Sequence, residues 1–363
     1  MSSPVRTALI GCGSLGRQVH LPILASLPRT RLVAVADADA RALAGSQELA
    51  PSAARFADYR ELLTRDDVDA VIVALPTSLH ASVGIDVLAA EKHLYLEKPI
   101  AATLADAERL VERWRASGRV AVVGFNYRFH PLYLRLRALI RDGAIGSIIA
   151  MRTVFAAPTD TLPAWKTRRE TGGGALLDLG IHHIDLVRYL LGREIRSVGA
   201  QIHNVRSDDD RVTLDLELDD DVVVQALFAF GAVEEDRIEV YGDAGKLTID
   251  RHHSLTVERR PPRVGSSRGQ RLGLGVRGPR LGELLGSPVL SLRLRAPTAE
   301  PSFRASLEHF VGAVTGTNDS APDMIDGLRA LEVVAAATEA AGAARRVPVG
   351  DRAKRVDGLA TTR

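Results

Sequence analysis

The stretch "ALIGCGSLG", residues 8–16, decides the fold class of this 363-residue chain. Its first residues belong to an apolar, strand-like run, and its last ones open a helix-like segment. Between them the glycines are spaced as G-x-G-x-x-G, at Gly11, Gly13 and Gly16. The first glycine permits a tight turn, the second lets the backbone approach a pyrophosphate, and the third allows the helix to pack closely on the strand. The loop therefore predicts a dinucleotide site, with phosphates at a helix N-terminus.

An acidic residue follows at the spacing that such a site requires. The next apolar run ends in "VAVAD" and places Asp37 about twenty residues after the loop, where a carboxylate accepts ribose hydroxyls. A carboxylate there repels a 2′-phosphate, so the sequence favours NAD over NADP, although Arg41 one turn away weakens that preference. We also expect Ser14 and Leu15, between the glycines, to contact the cofactor. The alternative is a glycine turn that binds no ligand.

The first 124 residues alternate apolar strands with helix-like segments. The strands are continuous rather than alternating in polarity, which indicates a parallel sheet covered on both faces. The sequence thus predicts a doubly wound α/β (Rossmann) domain over residues 1–124. The predicted strands are 7–10, 32–36, 70–75, 93–97 and 120–123, and two of the helices are 79–90 and 104–116.

The alternation of apolar strands and helices stops at residue 125, and residues 125–363 are predicted to form a second domain. Residues 211–230 alternate with period two, and their apolar side chains share one face: Val212, Leu214, Leu216 and Leu218. A turn at 219–221 reverses the chain, and residues 237–250 read as a second hairpin. We therefore predict an α+β domain with a large, mostly antiparallel open sheet, one face against helices, and closing helices at 302–314 and 322–341.

Composition excludes several classes of protein. A net charge of +2, with no segregation of charge, argues against nucleic-acid binding. The single cysteine, Cys12, excludes an intramolecular disulfide and suits a reducing compartment. The N-terminus lacks the pattern of a signal peptide, and no apolar run approaches the ~20 residues of a membrane span. We expect a cytoplasmic protein that does not bind membranes.

Charged segments elsewhere are assigned more ordinary roles. We expect the acidic triplets 208–210 and 219–221 to be solvated turns rather than metal sites. Residues 259–295 carry nine arginines and one acid, Glu283. This arginine-rich insertion is predicted to be a solvated loop, with a lid or subunit contact that helps to hold an anionic substrate as the alternative. We identify no metal site.

A lysine stands where ligands bind in open α/β sheets. "HLYLEKPI", residues 93–100, places Lys98 at the carboxyl end of a strand, and a lysine there can donate to a substrate oxygen and stabilise developing negative charge. From spacing alone, an ordinary surface lysine is an equally good interpretation.

Six motifs together resemble one family. They are the glycine loop, "ALPTSLHA" (74–81), "YLEKPIA" (95–101), "GFNYRFHP" (124–131), "TGGGALLDLGIHHID" (171–185) and "DMIDGLRALEVVAAATEA" (323–340). In this order they resemble the glucose–fructose oxidoreductase and inositol dehydrogenase (Gfo/Idh/MocA) family. The resemblance implies a Rossmann domain followed by an open-sheet domain, assembly as a homodimer or homotetramer through that sheet, a nicotinamide cofactor, and a sugar or cyclitol substrate. The arginine-rich insertion matches nothing in the family pattern.

The resemblance also implies roles for individual residues. Lys98 matches a lysine that touches cofactor and substrate, before a commonly cis Lys98–Pro99 bond. Asp178 and His182 match the catalytic Asp-x-x-x-His pair. The implied cofactor contacts, besides the glycine loop, Asp37 and Lys98, are Leu75, Pro76, Thr77, His80, Glu97 and Asn126. The implied substrate contacts are Lys98, Tyr127, Trp165, Arg168, Asp178 and His182.

The chemistry of alcohol oxidation fits these residues. A histidine with a pKa near 6.5 can take the hydroxyl proton, and Lys98 can hold the reacting oxygen. Asp178, four residues before His182, shares its helical face and can orient the imidazole; it can also cap a helix beginning at Leu179. His183 points roughly 100° away on the helix, so we expect it to be structural or to line the substrate site.

Other positions leave alternatives open. Trp165 either stacks on a sugar ring or fills the core, and Gly172 to Gly174 are expected to allow close backbone approach beneath the substrate. At the level of function, two alternatives to a dehydrogenase remain: a glycoside hydrolase that cycles tightly bound NAD, and a non-catalytic NAD-binding regulator.

Overall fold

The computed structural model describes residues 3–159, 162–262, 287, 289–290 and 300–350. A six-stranded parallel sheet runs in the order β3-β2-β1-β4-β5-β6. Its strands are β1 (Val5–Ile10), β2 (Thr30–Ala36), β3 (Ala54–Phe56), β4 (Ala70–Val73), β5 (His93–Leu96) and β6 (Ala121–Val123). The predicted doubly wound sheet is confirmed, and β3 is an addition, because three residues are too few to show an apolar period.

Helices connect and cover these strands. They are α1 (Leu21–Ser26), α2 (Ala40–Ala44), α3 (Tyr59–Leu63), α4 (His80–Ala89) and α5 (Leu104–Ser117). Thr103 caps α5 by accepting a hydrogen bond from the amide of Asp106, and Gly118 ends it with a left-handed φ of 63°. The predicted helices at 79–90 and 104–116 are therefore confirmed to within a residue or two.

The second sheet has eight strands in the order β13-β12-β11-β7-β10-β9-β8-β14. Only β7 and β10 pair in parallel; the other neighbours are antiparallel. The strands are β7 (Ile148–Ala157), β8 (Ile195–His203), β9 (Arg211–Leu218), β10 (Val223–Phe230), β11 (Glu235–Gly242), β12 (Gly245–Asp250), β13 (Glu258–Arg260) and β14 (Val347–Pro348). The inward face of β9 is buried as predicted, so the mostly antiparallel open sheet is confirmed.

The longer helices in the described residues after β6 are α6 (Pro131–Arg141), α7 (Ile181–Leu191), α8 (Pro301–Val314) and α9 (Met324–Ala343). α9 packs on β8 of the second sheet and on α5 of the first domain. α8 buries Leu307 and Phe310 in a cluster with Leu9 and Tyr95 of the parallel sheet. The end of the chain thus covers both sheets, and a domain boundary at residues 124 and 125 stays a prediction.

One acidic triplet contradicts its predicted role. Residues 219–221 form the expected exposed turn, but Asp209 and Asp210 are buried, with 3% and 2% of their surface exposed. Asp209 binds the guanidinium of Arg169, and Asp210 accepts hydrogen bonds from the amides of residues 205–207. These carboxylates therefore organise a turn instead of facing solvent.

Three further predictions concern the arginine-rich insertion, membranes and metal ions. Nearly all of the arginine-rich insertion lies outside the described residues. Among the described helices, none has the length and apolar character needed to cross a membrane. The described residues also contain no cluster of three or more histidine, cysteine or acidic side chains that could hold a metal ion.

Candidate active site

The glycine loop leaves open space where a pyrophosphate would lie. A side chain at Gly11, whose φ is 101°, would collide with the main chain of Ala74, and one at Gly16 would collide with the carbonyl of Gly11. Beside Gly13, in contrast, no atom lies within 4 Å of the position of a Cβ. Two glycines thus close the turn and the third faces free space, which fits a dinucleotide.

Asp37 stands at the carboxyl end of β2 in a fixed orientation. Its Oδ2 accepts a hydrogen bond from the amide of Cys12 at 2.7 Å, and its Oδ1 accepts one from the amide of Asp39 at 2.8 Å. The carboxylate remains partly exposed. The two backbone bonds hold it beside the glycine loop, where it fits the binding of ribose hydroxyls.

The loop after β4 is tied to the lysine loop by a buried histidine. Nδ1 of His80 lies 2.6 Å from the carbonyl oxygen of Pro99, and Nε2 lies 2.8 Å from that of Leu75. Burial lowers the pKa of His80. Both ring nitrogens face backbone, so His80 fixes the loop that holds Pro76 and Thr77. A direct contact of His80 with the cofactor stays a prediction.

Glu97 and Asn126 are also held by protein neighbours. Glu97 is buried and pairs with Nε2 of His20 at 2.9 Å. Asn126 donates a hydrogen bond from Nδ2 to the hydroxyl of Ser302 at 2.8 Å. Both lie at the carboxyl ends of β5 and β6, the predicted edge of the sheet, and their contact with the cofactor stays a prediction.

Two lysines share the carboxylate of Asp178. Lys98, before the cis peptide bond to Pro99, donates from Nζ to Oδ1 of Asp178 at 2.9 Å and to its carbonyl oxygen at 2.8 Å. Lys166 donates from Nζ to Oδ1 at 3.0 Å and to Oδ2 at 2.8 Å. Burial opposes ionisation of Asp178, but the two ammonium groups hold its pKa well below the usual range. Burial lowers the pKa of Lys98, which Lys166 lowers further, while Asp178 opposes both effects.

Asp178 does not cap a helix, so that alternative is wrong. It lies within a π-helical turn (Leu176–Gly180) that leads directly into α7. Neither of the two helical segments has a side-chain cap at its start. No hydrogen bond joins Asp178 to His182 among the described residues, because the lysines occupy the carboxylate. The sequence pattern does not reveal the π turn.

His182 is buried against an aromatic ring. Its imidazole stacks on Tyr127 with ring centroids 4.3 Å apart and an interplanar angle of 19°. Its Nδ1 is buried and has no hydrogen-bond partner in the described part of the chain. Burial and the nearby charge of Lys98 lower the pKa of His182 well below its ordinary value, so the imidazole is neutral near pH 7. A neutral, buried imidazole can accept a proton.

The other histidine of the pair is structural. His183 is fully buried, with Nε2 3.1 Å from Oδ1 of Asp236 and Nδ1 in contact with the hydroxyl of Thr153. This contact confirms the structural alternative for His183.

Trp165 is half-buried beside Lys166, whose Nζ lies 5.5 Å from the ring centroid, so the tryptophan does not fill the core. Arg168 is exposed.

Each glycine of the triplet 172–174 packs closely against another part of the protein. A side chain at Gly172 would collide with Thr77, one at Gly173 with the main chain of Lys166, and one at Gly174 would press on Asp209. The expectation that these glycines allow close backbone approach beneath the substrate stays a prediction. They bring the loop after β4 and the Lys166 segment together.

Sequence reasoning missed two cations of the site, Lys166 and Arg251. The guanidinium of Arg251 lies 4.5 Å from the centroid of the Tyr127 ring. Lys166 stands between Trp165 and Arg168, which were both proposed as substrate contacts, so its position was a usable signal. Arg251 follows a hairpin in "IDRHHS" and carries no such signal.

Comparisons with known proteins define the class of this chain. Residues 5–125 match the family described as an oxidoreductase family with an NAD-binding Rossmann fold, and residues 133–248 match the Gfo/Idh/MocA C-terminal domain. The chain belongs to the Gfo/Idh/MocA family of oxidoreductases, and its first domain is an NAD-binding Rossmann domain. The predicted family, fold and cofactor class are confirmed.

Individual relatives differ in the substrates that their names state. The chain is 34% identical to a dTDP-3,4-didehydro-2,6-dideoxy-alpha-D-glucose 3-reductase of Streptomyces violaceoruber, over 71% of this chain and 76% of the relative. It is 31% identical to a scyllo-inositol 2-dehydrogenase (NAD(+)) of Bacillus subtilis, over 71% and 78%. The WlbA dehydrogenase of Bordetella pertussis, solved with NADH and UDP-GlcNAcA, shares the fold with a TM-score of 0.81, 19% identity and coverage of 96% and 99%.

Proposed function

We propose that this enzyme transfers a hydride between a secondary hydroxyl or keto group of a sugar or cyclitol and NAD. The observation that carries the proposal is the ion pair between Lys98, at the carboxyl end of β5, and Asp178, in a chain whose glycine loop leaves free space at Gly13. In this proposal the glycine loop and Asp37 hold the dinucleotide. Bound NAD supplies the acceptor for the hydride that leaves the substrate carbon.

Lys98 holds the reacting oxygen. An ammonium group has three N–H donors, and two of those of Lys98 go to Asp178. The third N–H, which has no acceptor among the described residues, donates to the substrate oxygen and stabilises negative charge as the O–H bond breaks. Asp178 keeps the lysine charged and fixes its direction.

His182 takes the hydroxyl proton. Because its Nδ1 is buried, the proton goes to Nε2, and in the reverse direction the same nitrogen returns it. The low pKa of the imidazole keeps the base ready over the neutral range. The phenol of Tyr127, whose pKa burial raises, stays protonated and can donate to a substrate oxygen.

The cofactor preference and the substrate class are part of the proposal. The fixed carboxylate of Asp37 favours NAD over NADP, since it repels a 2′-phosphate. The relatives named as inositol dehydrogenases and dTDP-sugar reductases support a cyclitol or sugar substrate.

A screen with purified protein tests this function. Inositols, aldoses and nucleotide-activated sugars are each mixed with NAD or NADP, and NADH or NADPH formation is followed. We expect turnover with at least one polyol and a preference of at least about tenfold for NAD, equal to about 1.4 kcal/mol. His182→Gln and Lys98→Met should lower kcat/KM by about a hundredfold or more. Lys92→Met is the control, because Lys92 precedes the amino end of β5 and its ammonium donates to the carbonyl of Arg65, far along the strand from Lys98.

Three outcomes contradict the proposal. A preference for NADP overturns the role of Asp37. Release of an aryl leaving group from a glycoside, without net NADH, indicates the redox-cycling hydrolase instead. Tight binding of NAD without turnover on the whole panel indicates a non-catalytic NAD-binding regulator.

We further propose assembly and location. The outer face of the eight-stranded sheet exposes Val223 and Leu227, and we propose a homodimer or homotetramer formed through it. The single cysteine, Cys12, is buried and free, which supports a cytoplasmic location. Neither nucleic acid nor membrane is proposed as a partner.

A further inference from the structure

The planar side chains of His182, Tyr127 and Arg251 lie against one another in the interior of the protein. His182 stacks on one tyrosine, Tyr127, at 4.3 Å between centroids. The guanidinium of Arg251 lies 4.5 Å from the centroid of that same ring. Tyr127 exposes only 8% of its surface. The orientation of the imidazole is thus coupled to that of the tyrosine and of the arginine.

The arginine is held by carboxylates on two elements. Its Nε donates to Oδ2 of Asp236 on β11 at 2.6 Å, and its Nη1 donates to Oε2 of Glu300 at 2.6 Å. Asp236 is fully buried and also accepts a hydrogen bond from the hydroxyl of Tyr133 at 2.6 Å. Bonds in two directions fix the plane of the guanidinium, and it in turn confines the Tyr127 ring.

Among the described residues, no carboxylate orients the imidazole of His182 through a hydrogen bond. Asp178 is engaged by Lys98 and Lys166, and Nδ1 of His182 has no partner in the described part of the chain. In many catalytic sites a hydrogen bond from the second ring nitrogen sets the direction of the first. Here ring packing is the remaining means of orientation.

We propose that Tyr127 and Arg251 are positioning residues that hold the imidazole of His182 with Nε2 toward the reacting oxygen. The inference rests on the proposed function of His182 as the base. Arg251 acts through the ring of Tyr127, and Asp236 with Glu300 acts through Arg251. The buried network behind the site thereby replaces the usual carboxylate partner of a catalytic histidine.

The same contact controls the access of water to His182. The charged and titratable groups around the imidazole are Lys98 after β5, Asp178 and His183 on its own helical segment, Asp236 on β11 and, beyond the Tyr127 ring, Arg251. Burial is the largest cause of the low pKa of His182. Removal of the Tyr127 ring admits water, which stabilises the imidazolium and raises that pKa toward its ordinary value.

Three variants separate positioning from general stability. Tyr127→Leu removes the stacked ring, and Tyr127→Phe keeps it. Phe228→Leu is the matched control, because Phe228 is a fully buried ring that contacts His183. The pKa of His182 is measured by NMR on protein labelled in its histidine rings, with the His182→Gln variant for assignment. The kcat, KM and pH profile follow on the substrate found by the screen.

We expect Tyr127→Leu to raise the pKa of His182 and to move the acidic limb of kcat/KM to higher pH. Its kcat should fall at least about tenfold, because a misplaced base loses rate. Tyr127→Phe should keep the wild-type pKa and acidic limb, and Phe228→Leu should lower the melting temperature without moving either. Arg251→Lys, which keeps the charge but loses the planar group, should shift the pKa of His182 in the same direction as Tyr127→Leu.

Two results overturn the proposal. One is an unchanged pKa of His182 in Tyr127→Leu, and the other is a Tyr127→Phe variant as impaired in its acidic limb as Tyr127→Leu. The NMR titration needs no substrate. If the protein proves not to be a dehydrogenase, a shifted pKa still supports the orientation of His182 by Tyr127, so the two hypotheses fail separately.

Discussion

The carboxylate of Asp178 balances only one of the two lysines that bind it. Lys98 and Lys166 together bring two positive charges to one negative charge, so the site retains one positive charge where the substrate oxygen is expected. Such a charge stabilises an alkoxide-like oxygen more than a neutral hydroxyl, which favours hydride loss from the carbon. Burial is the main cause of the lowered pKa of Lys98, and the charge of Lys166 lowers that pKa further.

Removal of the second lysine should therefore change the ionisation of the first. In Lys166→Met the pKa of Lys98 rises, because a neighbouring positive charge that disfavours its protonated form is gone. Lys98 donates only while protonated, so the alkaline limb of kcat/KM should move to higher pH, and the loss of charge at the oxygen should lower kcat about tenfold. Lys166→Arg keeps the charge and should keep the limb. An unmoved alkaline limb in Lys166→Met would show that Lys166 does not act on Lys98.

Single residues also mark the limit of sequence reasoning about the site. Lys98 and His182 were identified because their motifs resemble those of a family. Lys166 and Arg251 were missed because their roles depend on contacts made across 12 residues in one case and across two sheets in the other. Distances of this kind are set by tertiary packing, which local sequence patterns do not record.

At the scale of elements, the glycine triplet acts as a junction. Thr77 of the first domain packs closely on Gly172, and the main chain of Lys166 packs closely on Gly173. The amide of Gly174 donates to the carbonyl of Lys166 at 2.8 Å. The short helical turn (Ala164–Thr167) that carries Lys166 is thereby fixed beside Asp178.

A methyl group at this junction should disable the site. In Gly173→Ala the new Cβ collides with the main chain of Lys166, which cannot rotate away as a side chain would. We expect a loss of stability of about 2 kcal/mol and a lower kcat. Gly342→Ala is the control: this exposed glycine lies in α9, no atom lies within 4 Å, and alanine should stabilise the helix by about 0.5–1 kcal/mol. Calorimetry gives the stability of both variants, and a turnover assay gives their kcat. A fully active Gly173→Ala variant would refute the role of the triplet as a junction.

Elements with a strong period were predictable and those without one were not. The alternation of β9 and β10 follows from a buried and an exposed face, so the predicted chain reversal within 211–230 at the 219–221 turn is confirmed. β3, with three half-buried residues, and the π turn around Asp178 leave no period to read. Asp209 was expected in solvent, because a run of acids gives no sign that a distant arginine covers it.

At the scale of the whole molecule, each sheet supplies half of the site. The parallel sheet contributes the glycine loop and Lys98, whereas Asp178 comes from the π-helical turn (Leu176–Gly180) that packs on the second sheet and His182 from the first turn of α7. The second sheet packs its inner face against the π-helical turn and α9, and the C-terminal end of α9, at Ala341, borders the groove on its outer face. That outer face is lined by polar and small apolar side chains, with Val154, Gln201, Thr213, Gln225 and Leu227 bordering one groove.

This open face leads to a prediction about assembly. If copies of the chain pair through it, Leu227, which is 40% exposed in the isolated chain, becomes buried, and Leu227→Glu places a charge in that contact at a cost of several kcal/mol. Light scattering should then show a dimer or tetramer for the wild type and a smaller species for Leu227→Glu. Val233→Glu makes the same change of charge at an 86% exposed residue that does not line the groove, and it should keep the wild-type mass. A monomeric wild type, or an unchanged mass in Leu227→Glu, would mean that this face is not the interface.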